Sequence, residues 1–265
     1  PEPSDARPSV VLLVLDTVRS SAVSAYGGVE GTTPTLDALA AEGLLYTNAF
    51  ATAPWTLPSH ASLLTGLPIN EHRVGLGGPA RLPEEVTTLA ERLREAGYRT
   101  AAFSENLLVG ESFRLEQGFE RAATSGPRDL DRGEAGTLTA WVELDVIGAS
   151  RKWLDGIDDE QPFFLFVNVL DAHSPYLVRD ENPWVPESVD ADQIHRRDPH
   201  PEQRICDALP PAEELAVQRG LYLGDVHAAD AKLAALMEVV RQRTAGRPLI
   251  TAGERGERPL TRYSG

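Results

Sequence analysis

The chain has 265 residues and a net charge of −15, with 25 Lys and Arg against 40 Asp and Glu. That balance excludes a nucleic-acid-binding surface, which needs a basic footprint, and no apolar run approaches the length of a membrane span. With 42% hydrophobic residues, the chain has enough apolar side chains for one core near the upper size a single core supports. Cys206 is the one cysteine, so no intramolecular disulfide forms.

In chain order, Pro8 to Asp16 reads as a buried strand over 9–15 that ends on a carboxylate. Ligands of open α/β sheets bind beyond the carboxyl ends of strands, which aims Asp16 at a site. Its other reading is a turn residue or helix cap. A helix is expected over 34–42 and a strand over 44–50. The run Pro54-Trp-Thr-Leu-Pro-Ser-His-Ala-Ser-Leu-Leu-Thr-Gly66 then turns a loop into a helix over 59–66. The unpaired N–H groups at such a helix start favour an anion, and Thr56 sets a hydroxyl beside it. His60 lies one turn further on. The periodicity continues with a helix over 86–96, a strand over 98–103, a surface loop from Ser125 to Gly136 and a helix over 136–156. A strand follows over 163–170, with Asp171 and His173 at its carboxyl end, then a Pro- and Asp-rich stretch over 178–211 that reads as a lid or a plain mobile excursion. Helices over 211–220 and 226–243 and a strand over 248–252 complete the chain. The alternation predicts an α/β fold, a mainly parallel central sheet with helices on both faces.

These segments resemble the sulfatase-like branch of the alkaline phosphatase superfamily. The resemblance is carried in order by Leu13-Val-Leu-Asp-Thr-Val-Arg19, Thr33-Pro-Thr-Leu-Asp37, Tyr46-Thr-Asn-Ala-Phe50 and the Thr56 segment. It continues through Leu93 to Phe103, Gln117-Gly-Phe-Glu120, Phe164 to Tyr176 and Tyr222 to Leu233. It implies a single sulfatase-like domain over 1–265 without the family's usual C-terminal subdomain. It also implies a divalent metal ion (Ca, Mg, Mn or Zn) on Asp16 and Thr56. Catalytic roles fall on Thr56, His60 and His173, and the substrate is a small anionic ester.

Departures from the pattern carry their own information. Sulfatases place Cys or Ser at the nucleophile for conversion to formylglycine, and the β-methyl of Thr56 forbids that oxidation. His60 stands where the family has Arg, and Ser104-Glu105-Asn106 replaces Gly-Lys-Trp-His. Lys152 and Lys232 are the only lysines. A phosphate or phosphonate ester is thereby favoured over a sulfate. After the last strand, where the family has Asp-His or Asp-Asn ligands, this chain has Gly253-Glu-Arg-Gly-Glu257. Glu254 is the expected third metal ligand, with Glu257 as its alternative. Three explanations stay open: a segment carrying the ligand pair is omitted between Ala252 and Gly253, the member is shortened and holds metal otherwise, or catalysis is lost. In the last case the protein is an inactive sulfatase-fold protein that binds an anionic ligand or partner. Cytoplasmic location is the expectation, with secretion open if a signal precedes Pro1; the oligomeric state is undetermined.

Overall fold

A computed structural model describes residues 7–75, 77–131, 137–158, 160–186, 190, 211–244 and 249–255, with backbone alone at 127–131, 137–141 and 249–255. The described residues contain seven strands: β1 (Ser9–Leu15), β2 (Arg99–Ser104), β3 (Arg121–Thr124), β4 (Gly126–Asp131), β5 (Thr137–Val142), β6 (Phe163–Val169) and β7 (Leu249–Arg255). The helices are α1 (Pro34–Glu42), α2 (Thr56–Thr65), α3 (Ile69–His72), α4 (Leu89–Glu95), α5 (Val146–Leu154) and α6 (Ala212–Arg243). Five strands form one sheet in the order β3-β2-β6-β1-β7, parallel at every pairing.

Side-chain alternation divides the core between the two faces of this sheet. Val11, Leu13 and Leu15 of β1 join Phe163, Leu165 and Val167 of β6 under α5 and α6. Leu12 and Val14 join Phe164 and Phe166 on the opposite face, under α2 and α4. Strands buried on both sides read as continuous apolar runs, which is why β1 and β6 were legible.

On the α2 face the alternating positions turn polar at the carboxyl ends. Leu12 and Val14 give way to Asp16, Phe164 and Phe166 to Asn168, and Ala102 to Ser104. Register places Asn168 beside both Val14 and Ser104, so these polar groups meet at one edge of the sheet. All three are buried. The chain leaves β1 through Thr17, whose φ of 60° lies in the left-handed region. For a β-branched residue that conformation costs about 1–3 kcal/mol. The Tyr222 hydroxyl on α6 holds the turn by donating to Thr17 O at 3.2 Å and accepting from Arg19 N at 2.8 Å.

Several expectations are corrected. Residues 44–50 form no strand: Leu44, Tyr46 and Phe50 are 85%, 70% and 74% exposed, and the segment joins neither described sheet. Its large apolar side chains stay exposed, and propensity without burial does not hold a strand. The expected helix over 136–156 divides into β5 and α5. Thr-Leu-Thr-Ala-Trp-Val is rich in strand formers and pairs antiparallel with β4, while Asp145 caps α5 by accepting from Gly148 N at 2.9 Å. The loop expected from Ser125 to Gly136 therefore contains β4, and 132–136 lie outside the described residues. The helix expected from 86 starts at Leu89, because Thr88 and Glu91 form a capping box. The two helices expected over 211–220 and 226–243 are one, α6. Of the stretch 178–211, residues 187–189 and 191–210 lie outside the described residues.

Candidate active site

Helix α2 begins at Thr56 itself, so the hydroxyl belongs to the first helical turn and not to the loop before it. Trp55 at the cap position contributes no side-chain hydrogen bond to the helix start. Thr56 is 6% and Asp16 1% exposed. Thr56 Oγ1 lies 3.5 Å from Asp16 Oδ2, the outer limit of a hydrogen bond. The residues picked out at positions 16 and 56 thus converge on the same face of the sheet.

Two carboxamides complete the arrangement, and neither was singled out from sequence. Asn106 Nδ2 donates to Asp16 Oδ2 at 2.8 Å and to Thr56 Oγ1 at 3.2 Å. Asn168 Nδ2 donates to Asp16 Oδ2 and to Ser104 Oγ, both at 3.3 Å. Such donors offset the cost of burying a carboxylate. A sequence signal for Asn168 did exist: an amide within the otherwise apolar strand Phe-Phe-Leu-Phe-Val-Asn-Val demands buried partners. Asn106 carried no such signal, because its loop becomes part of the site only through the fold.

His60 is 4% exposed. Its Nδ1 is 2.9 Å from Thr56 O, an atom that can only accept, so Nδ1 carries the proton. Burial pushes the imidazole below its usual range, outweighing the Asp16 charge and the Thr56 carbonyl that raise it. The ring is therefore neutral, and Nε2 presents a lone pair with no hydrogen-bond partner. Asn168 Oδ1 is likewise buried and unpartnered.

The remaining expected residues separate. His173 is exposed, its Nδ1 is 2.7 Å from Ser174 O, and it stands outside the hydrogen-bonded network around Asp16. Asp171, two residues before it, meets Lys232 Nζ at 2.5 Å and the Arg179 guanidinium at 3.6 Å. Lys232 also meets Glu105 at 2.7 Å, and Arg179 meets the buried Asp225 at 2.8 Å. Glu254 pairs in backbone register with Val14, two residues before Asp16. Its side chain, and all of Glu257, lie outside the described residues. His72 is structural. Val74 N donates to its Nδ1 at 3.0 Å, so Nε2 carries the proton and donates to Ser62 Oγ at 2.9 Å.

The observed polarity suits a cation. The three donors to Asp16 all meet Oδ2, leaving Oδ1 for a ligand, and the two unpartnered buried atoms are both acceptors. Among the described residues, however, no group of three or more His, Cys, Asp or Glu side chains surrounds it.

The parallel sheet with helices on both faces is that of the alkaline phosphatase/sulfatase-like α/β class, and it carries a carboxylate at one strand end and a hydroxyl in the first turn of an adjacent helix. Residues 8–249 match the Sulfatase family model, and the chain belongs to that family. It is 38% identical to human arylsulfatase H over 107 residues, covering 36% of this chain and 19% of that protein. With the arylsulfatase of Klebsiella aerogenes it shares 26% identity over 225 residues, 68% of this chain and 45% of the relative. The crystal structure of the phosphonate monoester hydrolase of Agrobacterium radiobacter superposes with a TM-score of 0.68 at 20% identity, over 94% of this chain and 62% of that one. The chain thus spans less than two thirds of these relatives. Metal dependence is a property of the superfamily.

Proposed function

We propose that this protein hydrolyses a phosphate, phosphonate or sulfate ester with Thr56 as the nucleophile. The approach of Thr56 Oγ1 to Asp16 Oδ2 at the start of α2 carries this reading. Thr56 Oγ attacks phosphorus or sulfur, the bond to the ester's leaving oxygen breaks, and that oxygen departs with a proton. Water then cleaves the threonyl ester and restores the hydroxyl. The N–H groups of the first turn of α2 face the substrate's non-bridging oxygens. His60 fixes that turn through Nδ1 and keeps a lone pair at Nε2, the property required of a general base.

Asp16 and Thr56 are the described residues that would hold a divalent cation, with Glu254 as the expected third ligand. Such an ion would supply Lewis-acid polarisation and a lower pKa for a bound hydroxyl. Phosphate and phosphonate esters are favoured over sulfate esters, because a threonine cannot become the aldehyde hydrate used by sulfatases. The sparse set of described cation donors favours a second reading, a non-catalytic protein that binds an anion in the same cleft.

A screen distinguishes them. Bis(4-nitrophenyl) phosphate, 4-nitrophenyl phosphate, 4-nitrophenyl phenylphosphonate and 4-nitrophenyl sulfate are each assayed with Mg, Ca, Mn and Zn. Metal-stimulated release of nitrophenolate from a phosphorus ester is expected. Absence of turnover from every ester, together with no bound metal by elemental analysis, favours the binding protein.

A further inference from the structure

We infer that Asn106 is a catalytic residue of this site: its side-chain N–H holds the Thr56 oxygen against Asp16 and stabilises that oxygen as its proton leaves. The inference rests on Thr56 being the nucleophile and names the group that prepares it. The carboxamide is fixed at both ends. Oδ1 accepts Leu108 N–H at 3.0 Å, so the amide plane cannot turn over without uncapping the short helical turn that follows. The backbone N of Asn106 donates to Ser104 Oγ, and its carbonyl accepts from the same hydroxyl, both at 3.0 Å. Asn106 is 7% exposed, so water competes little for these bonds.

With Oδ1 committed, both Nδ2 hydrogens face the site, one toward Asp16 Oδ2 and one toward Thr56 Oγ1. An amide has no lone pair to offer at nitrogen, so Thr56 Oγ1 is the acceptor in that contact, and its own proton must leave in another direction. When Thr56 ionises, the same N–H becomes a charge-assisted donor, about twice as strong as a neutral one. The contact therefore strengthens along the reaction and lowers the barrier, where uniform binding would not. Asn168 Nδ2 reaches Asp16 and Ser104, whereas Asn106 Nδ2 reaches both Asp16 and Thr56, so among the described side chains this role falls to Asn106.

Asn106→Asp keeps the size of the side chain and the cap on Leu108 but removes both N–H donors. Asn106→Ala removes them without adding charge. With bis(4-nitrophenyl) phosphate, both variants are expected to lose about 10²–10³ in kcat, the usual effect of deleting one such donor. KM should change by less than about threefold, because the contact is with the nucleophile and not with substrate. Orthovanadate binding, measured by calorimetry without turnover, should weaken by at least tenfold in both variants.

Wild-type kcat and wild-type vanadate affinity in both variants would overturn the inference. Thr56→Ala, assayed alongside, separates the two levels. If Thr56→Ala retains full turnover, or the wild type neither turns over the ester nor binds vanadate, the nucleophile assignment falls and Asn106 with it. If Thr56→Ala is inactive while the Asn106 variants behave as wild type, only the role of Asn106 falls. Should Asn106→Ala fail to fold by circular dichroism, the isosteric Asp variant and vanadate decide the matter.

Discussion

The chemistry at residue 56 depends on one oxygen atom in the first turn of a helix, with Asp16 Oδ2 3.5 Å away and Asn106 Nδ2 3.2 Å away. Thr56→Ala deletes that oxygen and little else. Turnover is expected to fall by at least about 10⁴-fold, since removal of a nucleophile leaves only residual catalysis from binding and polar groups. Its melting temperature should stay within a few degrees of wild type. Steady-state kinetics and calorimetry on the same preparation check both halves of this statement. The buried histidines add a pH dependence. Burial lowers the His72 pKa, so the folded protein holds it neutral while the unfolded chain titrates at about 6.5. The unfolded state therefore binds more protons as pH falls below that value, and the stabilisation from neutral His72 is present above it and lost beneath it. In urea unfolding, the advantage of wild type over His72→Gln should be larger at pH 7.5 than at pH 5.5. A constant gap would contradict the neutral, doubly hydrogen-bonded assignment.

Elements are joined here by buried polar side chains as much as by apolar packing. Asp230, fully buried in the middle of α6, accepts from Thr35 N at 2.8 Å and from Leu36 N at 3.0 Å. Its carboxylate caps the first turn of α1 from another helix, as the orphan N–H groups and the helix dipole require. Asp230→Ala should destabilise the protein by about 1–3 kcal/mol, the cost of leaving buried donors unsatisfied. The urea midpoint measures this loss, and a change below a few tenths of a kcal/mol would refute the cap. The α4 capping box of Thr88 and Glu91 does similar work within one helix, which is why it could be read locally. The Asp230 cap could not, because its two halves are separated by 195 residues.

At the scale of the whole molecule, one sheet divides the core and collects the functional groups along its carboxyl edge. Residues 43–52 belong to no described helix or strand and are exposed throughout. Cleavage by chymotrypsin needs an accessible, locally unfolded backbone. Brief digestion should therefore cut after Tyr46 or Phe50 before any bond in β1, β2 or β6, and mass spectrometry of the fragments reads the outcome. The cation expected on Asp16 and Thr56 would couple to global stability by mass action. Saturation at about one hundred times Kd adds about 2.7 kcal/mol, enough to raise the melting temperature by a few degrees. A screen of Mg, Ca, Mn and Zn against chelator-treated protein measures that shift and ranks the ions.

Strand runs such as Val10 to Leu15 and Phe163 to Val169 were legible because burial on both faces leaves a continuous apolar signature. The motif residues Asp16 and Thr56 could be read for a related reason: each sits where an element stops or starts, and such boundaries are written locally, with His60 one turn further along the helix. The segment 44–50 has the composition of a strand but its large apolar side chains stay exposed, so local propensity misled there. The sequence by itself determined the α/β class, the strand-end carboxylate and the helix-borne hydroxyl. Only the tertiary structure decided that Asn106 and Asn168 clasp that carboxylate, that Asp171 is spent on Lys232 and Arg179, and that His173 stands apart. Hydrogen bonds between residues 40 to 152 positions apart have no periodicity to reveal them, since they exist only once the parallel register has set the strand ends side by side.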